Sequence, residues 1–264
     1  MRSRYSAAEP MKQDTSFIKS DAVILRTYEY SETSYIVSLL TRARGTLHAL
    51  AKGARRAKGT FAGEIDLYAE GQAVLIVRPE VSLHLLTEFC CKERHLPLRQ
   101  SVDRACAAGY AGEVIAAASP EGESQPELYD LLTQTLQGLE AGDVPAVTAF
   151  CQVHLLRLGG YMPDLATCTA CGKRVTGPHV AYSFMKSGVL CAGCLQPNEP
   201  AARVSRSAIS LASSLSRGGA AALSRTRVPR ALARETISFL GHVISAAFEQ
   251  EARMLQPTLA ALVR

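Results

Sequence analysis

The sequence predicts an α+β protein with two parts, a small N-terminal β-barrel and a longer α-helical domain that carries a cysteine-rich insertion. Three observations lead to this prediction. Residues 21–92 consist of short apolar runs separated by turn residues, the residues after Pro97 follow a helical period, and two Cys-x-x-Cys pairs interrupt the helical part. The 264 residues, 47% of them hydrophobic, are enough for a packed core, which excludes a wholly disordered chain.

Residues 1–20 are predicted to form a flexible leader, with Met11 as an alternative start, because this stretch is polar and contains four basic residues. It lacks the apolar segment of a signal peptide, and no other apolar run reaches the ~20 residues of a membrane span. We therefore expect a cytoplasmic protein that has no membrane partner. Net charge is +3 over residues 1–80, −4 over residues 81–200 and +6 over residues 201–264. Clustered cations of this kind attract polyanions.

The barrel is predicted over residues 21–92. In its third strand, Leu47, Ala49 and Ala51 alternate with polar residues, which is the period of a strand with one buried face. Five short strands, with a longer connection between the third and the fourth, are typical of an OB-type barrel that binds nucleic acid. The predicted strands are Asp21–Tyr28, Tyr35–Thr41, Gly45–Lys52, Gly71–Arg78 and Val81–Phe89.

Residues 97–264 are predicted to form the α-helical domain. Apolar residues recur at helical spacing in residues 128–139, 147–158 and 237–248, and residues 101–118 form a further predicted helix. Residues 203–230 are rich in Ser, Ala and Arg, and we expect short helices or partly mobile chain there.

The cysteine insertion, residues 165–197, contains the strongest chemical signal. Two Cys-x-x-Cys pairs are separated by 19 residues, a spacing that lets two tight turns complete one tetrahedron around a metal ion. Gly172 and Gly193 suit the tight or left-handed conformations of such turns. With four protein ligands the site is structural, and we expect one Zn²⁺. The predicted ligands are Cys168, Cys171, Cys191 and Cys194.

Other interpretations of the four cysteines remain open. They are a redox pair, two disulfides and an iron–sulfur cluster. His179 lies in the spacer and is interpreted as a loop residue.

Six cations and no acidic residue occur in residues 42–58. On a barrel such cations can follow the phosphates of a single strand, and the nearby rings of Tyr28, Tyr35 and Phe61 can stack on bases. The alternative is a solvated, like-charged surface loop. The predicted DNA-binding residues are Arg42, Arg44, His48, Lys52, Arg55, Arg56 and Lys58, with a weaker second cluster at Arg225, Arg227 and Arg230.

No phosphate-binding loop, nucleophile elbow or HExxH motif occurs in the chain, so we expect a protein that is not an enzyme. Two carboxylate pairs, Glu64 with Asp66 and Glu121 with Glu123, are interpreted as surface groups. His154 is interpreted as a core histidine.

Four segments resemble the bacterial RecO family of DNA-repair proteins. They are residues 31–34, 41–45, 51–56 and 158–165, the last running into Cys168. The resemblance implies an OB-fold domain, a helical remainder with an inserted zinc ribbon, and binding of single- and double-stranded DNA. It also implies annealing of complementary strands, and action with RecR to help load RecA onto DNA coated by single-strand-binding protein (SSB).

Three other function classes remain open. An OB barrel with a zinc ribbon also suits an RNA-binding protein. The loop carboxylates leave a metal-dependent nuclease as a further alternative, and a protein-only scaffold is the third.

Overall fold

Five strands form the N-terminal domain. A computed structural model of the chain describes residues 16–56, 58–61, 63–78, 81–218 and 227–262. Each of the five predicted strands is present. Their bounds are Ser16–Ser31 (β1), Ser34–Thr41 (β2), Gly45–Ala51 (β3), Glu70–Val77 (β4) and Leu83–Glu93 (β5).

The strand β1 begins five residues earlier than the sequence predicts. Residues 16–20, expected to belong to the leader, pair with β4 from Ser16 opposite Val77 to Ser20 opposite Ala73. The reason is that Ile18 and Ser20 alternate inward and are buried, so the polar leader ends before Ser16. The remainder of the predicted leader lies outside the described residues.

The strands pair in a ring in the order β1-β2-β3-β5-β4, and β1 also pairs with β4. All pairs are antiparallel except β3 with β5, which run parallel over residues 48–51 and 83–86. A bulge between Ile24 and Arg26 bends β1, so that its two halves can serve two neighbours. This arrangement is the predicted five-stranded OB-type barrel.

The barrel encloses its own hydrophobic core. Leu47, Ala49 and Ala51 of β3 all point into it and are at most 1% exposed, as their alternation predicts. The connection between β3 and β4 adds Phe61 and Ile65 to the same core. The expectation that Phe61 offers a ring to nucleic acid is therefore wrong, because its side chain closes the barrel interior.

The described residues that follow form six α-helices: α1 Val102–Ala118, α2 Pro126–Ala141, α3 Val144–Leu158, α4 Arg206–Arg217, α5 Arg230–Ala247 and α6 Leu255–Ala261. Helix α3 lies at the centre and packs against α1, α2, α4 and α5. The buried amide Nε2 of Gln152 donates to Tyr110 Oη (2.7 Å) and to the Ile237 carbonyl (2.9 Å), which ties three helices together. Within the described residues, no helix is long and apolar enough to cross a lipid bilayer.

Helix α4 lies within the stretch for which the sequence predicts short helices or partly mobile chain. Its buried residues, Ala208, Ile209, Ala212 and Leu215, form one apolar stripe. Residues 219–226 of the same stretch lie outside the described part of the chain.

Two strands of the cysteine insertion and one strand that follows it form a small sheet on the helical domain. They are His179–Ser183 (β6) and Gly188–Leu190 (β7) of the insertion and Ala202–Ser205 (β8), and their order is β7-β6-β8. Strand β8 runs directly into α4, and the Ser205 hydroxyl caps that helix by accepting from the Ala208 amide (3.1 Å). Glu235 of α5 accepts from both the amide (2.7 Å) and the hydroxyl (2.8 Å) of Ser205. The insertion is therefore fixed to two helices.

The outer side of the barrel packs on the first helices. Val23, Leu25 and Leu40, from β1 and β2, join the hydrophobic core of the helical domain. Beside them, the Thr46 amide donates to Ser119 Oγ (3.1 Å). One side of the barrel is thus covered, and any ligand must use the remaining surface.

Candidate nucleic-acid interface and metal centre

The two Cys-x-x-Cys turns come together in space, as their spacing predicts. The Sγ atoms of the four cysteines all lie within 4.8 Å of one another, and those of Cys171 and Cys191 are 3.7 Å apart. All four residues are free thiols. Four sulfurs that bind one tetrahedral ion at ~2.3 Å stand about 3.8 Å apart, so this cluster has the dimensions of a metal site.

Each turn is closed by main-chain hydrogen bonds. In the first turn, the Gly172 amide donates to the Cys168 carbonyl (2.8 Å), and Gly172 has φ +69°. In the second, the amides of Cys194 and Leu195 both donate to the Cys191 carbonyl (3.0 Å each). The predicted left-handed conformation thus occurs at Gly172, whereas Gly193 has no positive φ.

The electrostatics of the cluster favour a bound cation. Hydrogen bonds from main-chain amides, that of Cys191 first, lower the pKa of Cys168 to about 6. The surrounding thiols, Cys191 and Cys171 foremost, raise the pKa of Cys194 to about 12. Four thiolates this close repel one another, so Cys194 holds its proton unless a cation lies between the sulfurs, and the donor set fits a metal. His179 lies outside the cluster and its Nδ1 hydrogen-bonds with Arg203 Nη2 (3.1 Å).

Four of the predicted DNA-binding cations lie in one exposed segment after β3. This segment, called here the cationic loop, contains Lys52, Arg55, Arg56 and Lys58. Gly53, with φ +77°, turns the chain, and the Arg56 amide donates to its carbonyl (3.1 Å). Among the described residues, Lys52, Arg56 and Lys58 have no ion-pair partner. Their charges are therefore not neutralised by an acidic side chain within the described part of the chain.

Arg55 fixes the cationic loop to the barrel. Its Nη1 lies 3.2 Å from a carboxylate oxygen of Glu29 and donates to the Ser31 carbonyl (3.1 Å). Its guanidinium also lies over the ring of Tyr35, 5.7 Å from the centroid. Arg55 therefore orders the loop and is less available to a ligand than its neighbours.

Arg42 and Arg44 lie at the other end of β3 from the cationic loop. Arg42 donates to both oxygens of Asp130 on α2 (2.5 and 3.0 Å), and its guanidinium lies over the Tyr129 ring. Arg42 thus contributes to the contact between the domains. Arg44 is exposed in the turn between β2 and β3. The seven predicted residues therefore do not form one continuous patch.

A row of three side chains crosses the middle of the barrel sheet between these ends, and its two outer members are exposed. His48 stands opposite Ser38, which is only 5% exposed, and Ser38 stands opposite Arg26, so the row covers three strands. Tyr28, two residues from Arg26, is 50% exposed, and Tyr30 is 62% exposed. Cations and rings on such a face suit a single strand. The sequence analysis did not single out Arg26, which follows the bulge in β1 and whose Nη2 lies 3.9 Å from a carboxylate oxygen of the buried Glu113 on α1.

The weaker arginine cluster lies far along the chain, at the start of α5. Arg227 and Arg230 line a cleft with Arg104 of α1. Arg230 Nη1 donates to the Leu262 carbonyl (3.3 Å), so part of this guanidinium is occupied within the helical domain. Arg225 lies outside the described residues.

The loop carboxylates have structural partners. Glu64 accepts from the Cys91 amide (3.1 Å), and Asp66 pairs with Arg99 (2.6 Å). Within the described part of the chain, neither they nor Glu121 and Glu123 belong to a metal-ligating cluster. His154 is half-buried and packs on Phe150, and burial lowers its pKa.

Family models match both halves of the chain. The model described as "Recombination protein O N terminal" matches residues 13–93, and "Recombination protein O C terminal" matches residues 99–253. The chain belongs to the RecO family. The boundary between the two RecO models falls where the barrel ends and the helical domain begins, and the resemblance found from the four sequence segments is confirmed.

Curated proteins that are similar to this chain are also RecO proteins. The DNA repair protein RecO of Rhodopirellula baltica is 35% identical over 66% of this chain and 65% of its own length. That of Anaeromyxobacter sp. strain K is 33% identical over 67% of this chain and 70% of its own length. That of Anaeromyxobacter sp. strain Fw109-5 is 32% identical over 86% of this chain and 91% of its own length. RecO membership supports a role in DNA repair and recombination.

Proposed function

We propose that this chain binds single- and double-stranded DNA without sequence preference and anneals complementary strands. We propose also that it acts with RecR to help load RecA onto SSB-coated DNA. The observation that carries the DNA-binding part is the cationic loop, in which Lys52, Arg56 and Lys58 are exposed and form no ion pair with the described residues. Membership of the RecO family supports the part that concerns partners.

The proposed mechanism is electrostatic. Lys52, Arg56 and Lys58 bind phosphates, while Tyr28 and His48 offer rings to the bases. Neutralised phosphates repel a second strand less, so that a complementary strand can pair. Nothing in this mechanism needs nucleotide hydrolysis or sequence-specific contacts.

The direct test is strand annealing by the purified chain without nucleotide. We expect annealing of complementary oligonucleotides and no cleavage of labelled DNA in magnesium or manganese. Competition between single-stranded DNA and RNA of matched length should favour DNA. Preference for RNA would instead support an RNA-binding protein, and cleavage would support a nuclease.

The cationic loop can be tested by reversing its charge. We expect Lys52→Glu with Arg56→Glu to weaken binding of single-stranded DNA at least tenfold, because two phosphate contacts become repulsive. With four to six phosphates bound, the wild-type slope of log affinity against log salt should be about −3 to −4. Fluorescence anisotropy at several salt concentrations measures the loss of affinity in the variant and the salt dependence of the wild type.

The matched control is Lys19→Glu with Arg234→Glu, two exposed residues outside the cationic loop that give the same change in net charge. It should bind nearly as the wild type does. Equal affinity of the loop variant and the wild type would exclude the loop as the DNA-binding surface.

For the cysteine cluster we propose one structural Zn²⁺, held by Cys168, Cys171, Cys191 and Cys194. Zinc suits this site because it favours tetrahedral thiolate coordination, and because four protein ligands leave no position for a substrate. Its role would be to hold the two turns of the insertion together.

A further inference from the structure

A groove of about 540 Å³ lies between the first cysteine turn, the segment after α3 and helix α4. It lies on the part of the molecule built from the insertion and α4, whereas the barrel packs on the first helices. Its polar lining consists of Asp164, Arg174, Arg206, Arg217 and the serines at positions 210, 213, 214 and 216. We call it the arginine–serine groove.

Three of the charged residues that line the groove are arginines. Arg206 is held in place, since its Nε and Nη2 donate to the carbonyls of Gly177 (3.2 Å) and Val175 (2.6 Å). Arg174 and Arg217 are exposed and form no ion pair with the described residues. The groove therefore combines one arginine held by hydrogen bonds, Arg206, with two exposed arginines that can adjust to a ligand.

The single carboxylate of the groove is already occupied. Asp164 accepts from the hydroxyl of Thr167 and from the Ala166 amide (2.8 Å), and these two bonds lower its pKa. It closes a local turn and does not pair with a groove arginine. Because these donors are neutral, Asp164 keeps its negative charge, and the groove offers an anionic ligand three guanidinium groups against one carboxylate.

The exposed side of α4 supplies hydroxyl groups to the groove. The helix buries its apolar stripe and turns serines outward, and residues 200–234 contain seven arginines and no acidic residue. Arginine and serine side chains are common donors to phosphate oxygens. Arg206 and Arg217 are 11 positions apart on α4, a rise of about 16 Å, which matches about five nucleotides of one strand. This length fits an extended polyanion.

We infer that the arginine–serine groove binds the phosphate backbone of a second DNA segment. One chain can then hold two DNA molecules, one on the barrel and one on the groove. The inference rests on the proposed DNA-binding function and adds a site that is independent of the cationic loop. It favours DNA over an acidic peptide because arginines and hydroxyl groups provide most of the polar lining.

The test is a bridging assay with the whole 264-residue chain, purified in the presence of zinc. A duplex is immobilised on beads, and a labelled single strand of unrelated sequence is added with the protein. Wild-type protein should retain the labelled strand on the beads. The variant Arg174→Glu with Arg217→Glu should bind the free single strand as the wild type does but lose its capture by the duplex. For duplex binding by this variant, the slope of log affinity against log salt should become shallower by about two units.

The control Lys19→Glu with Arg234→Glu lies outside the groove and should bridge normally. Zinc content and thermal melting report whether the groove variant folds. If that variant does not fold, it is replaced by the milder variant Arg174→Gln with Arg217→Gln. We then expect a partial loss in capture of the labelled single strand by the immobilised duplex.

Bridging by the groove variant at the wild-type level would overturn the inference. So would competition for the groove by a short acidic peptide but not by duplex DNA. The variant Lys52→Glu with Arg56→Glu separates the proposed DNA site on the barrel from the proposed site in the groove. If it still binds single strands as the wild type does, the barrel proposal fails, whereas loss of capture in the groove variant alone supports the second site.

Discussion

At the scale of single residues, Gly45 combines a positive φ with a close approach to another part of the main chain. Its φ is +59°, and a Cβ atom at this position would lie 2.6 Å from the carbonyl oxygens of Pro120 and Glu123. These carbonyls belong to the loop between α1 and α2. Gly45 therefore lets the turn between β2 and β3 approach the helical domain closely.

We expect Gly45→Ala to lower the free energy of unfolding in two ways. A left-handed conformation at a non-glycine residue costs about 1–3 kcal/mol, and the clash adds about 1–3 kcal/mol. Gly63→Ala is the control, since Gly63 also has a positive φ (+80°) but a Cβ atom there would meet no other atom within 4 Å. Urea denaturation should show the larger loss for Gly45→Ala, and equal losses would contradict the close approach.

Arg42 illustrates what sequence could not predict about single residues. It lies in the same cationic run as Lys52, and only the fold brings Asp130, 88 positions away, to its guanidinium. A charge run in a sequence gives the number of cations and not their partners. The free cations of the cationic loop and the occupied Arg42 are therefore distinguishable only in three dimensions.

At the scale of elements, the sequence predicted most of the fold. Alternation and turn residues placed all five strands to within a few residues, and the helical period placed α2 and α3. Helix α4 was harder to predict, since serine has a weak helix propensity and only its short apolar stripe indicates a helix. The sequence pattern also could not show that the connection between β3 and β4 buries Phe61.

The two cysteine turns, residues 168–172 and 191–194, bury Cys168 and no other residue, so their stability should depend on the metal. We expect one zinc ion per wild-type chain, and we expect Cys168→Ser to lower both zinc content and the melting temperature. Loss of one of four ligands opens the site, and the two turns then lack a common anchor. Elemental analysis and calorimetry measure these effects.

The control is Cys90→Ser, a change at an exposed cysteine of β5. It should leave zinc content unchanged. A metal-free wild-type protein that melts at the same temperature as the zinc-treated one would contradict a structural metal.

At the scale of the whole molecule, a buried histidine joins the two domains. His95 follows β5, and its Nδ1 lies 2.7 Å from a carboxylate oxygen of Glu140 on α2. Its Nε2 lies 3.6 Å from Glu70 of β4, which also accepts a hydrogen bond from Tyr129. Burial lowers the pKa of His95, but the two carboxylates outweigh burial and raise it above 6.5.

The raised pKa predicts a pH-dependent stability. The imidazolium contributes fully below pH 6.5, the unfolded-state value, and the contribution is lost as the pH rises through the folded-state pKa. We therefore expect His95→Asn, which tolerates the positive φ at this position, to destabilise most at low pH. Urea denaturation of the wild type and of His95→Asn, at pH values below and above 6.5, measures the prediction. A difference in the free energy of unfolding that does not change with pH would contradict it.

The direct passage from β8 into α4 has a mechanical consequence. Because Ser205 is bound by Glu235 of α5, no free linker separates the insertion from the helical core. A load applied to a polymer at the arginine–serine groove is then transmitted to α5 and α3 rather than absorbed by a hinge. Tension between two bound nucleic acids would therefore act on the barrel, the helices and the small sheet as on one rigid body.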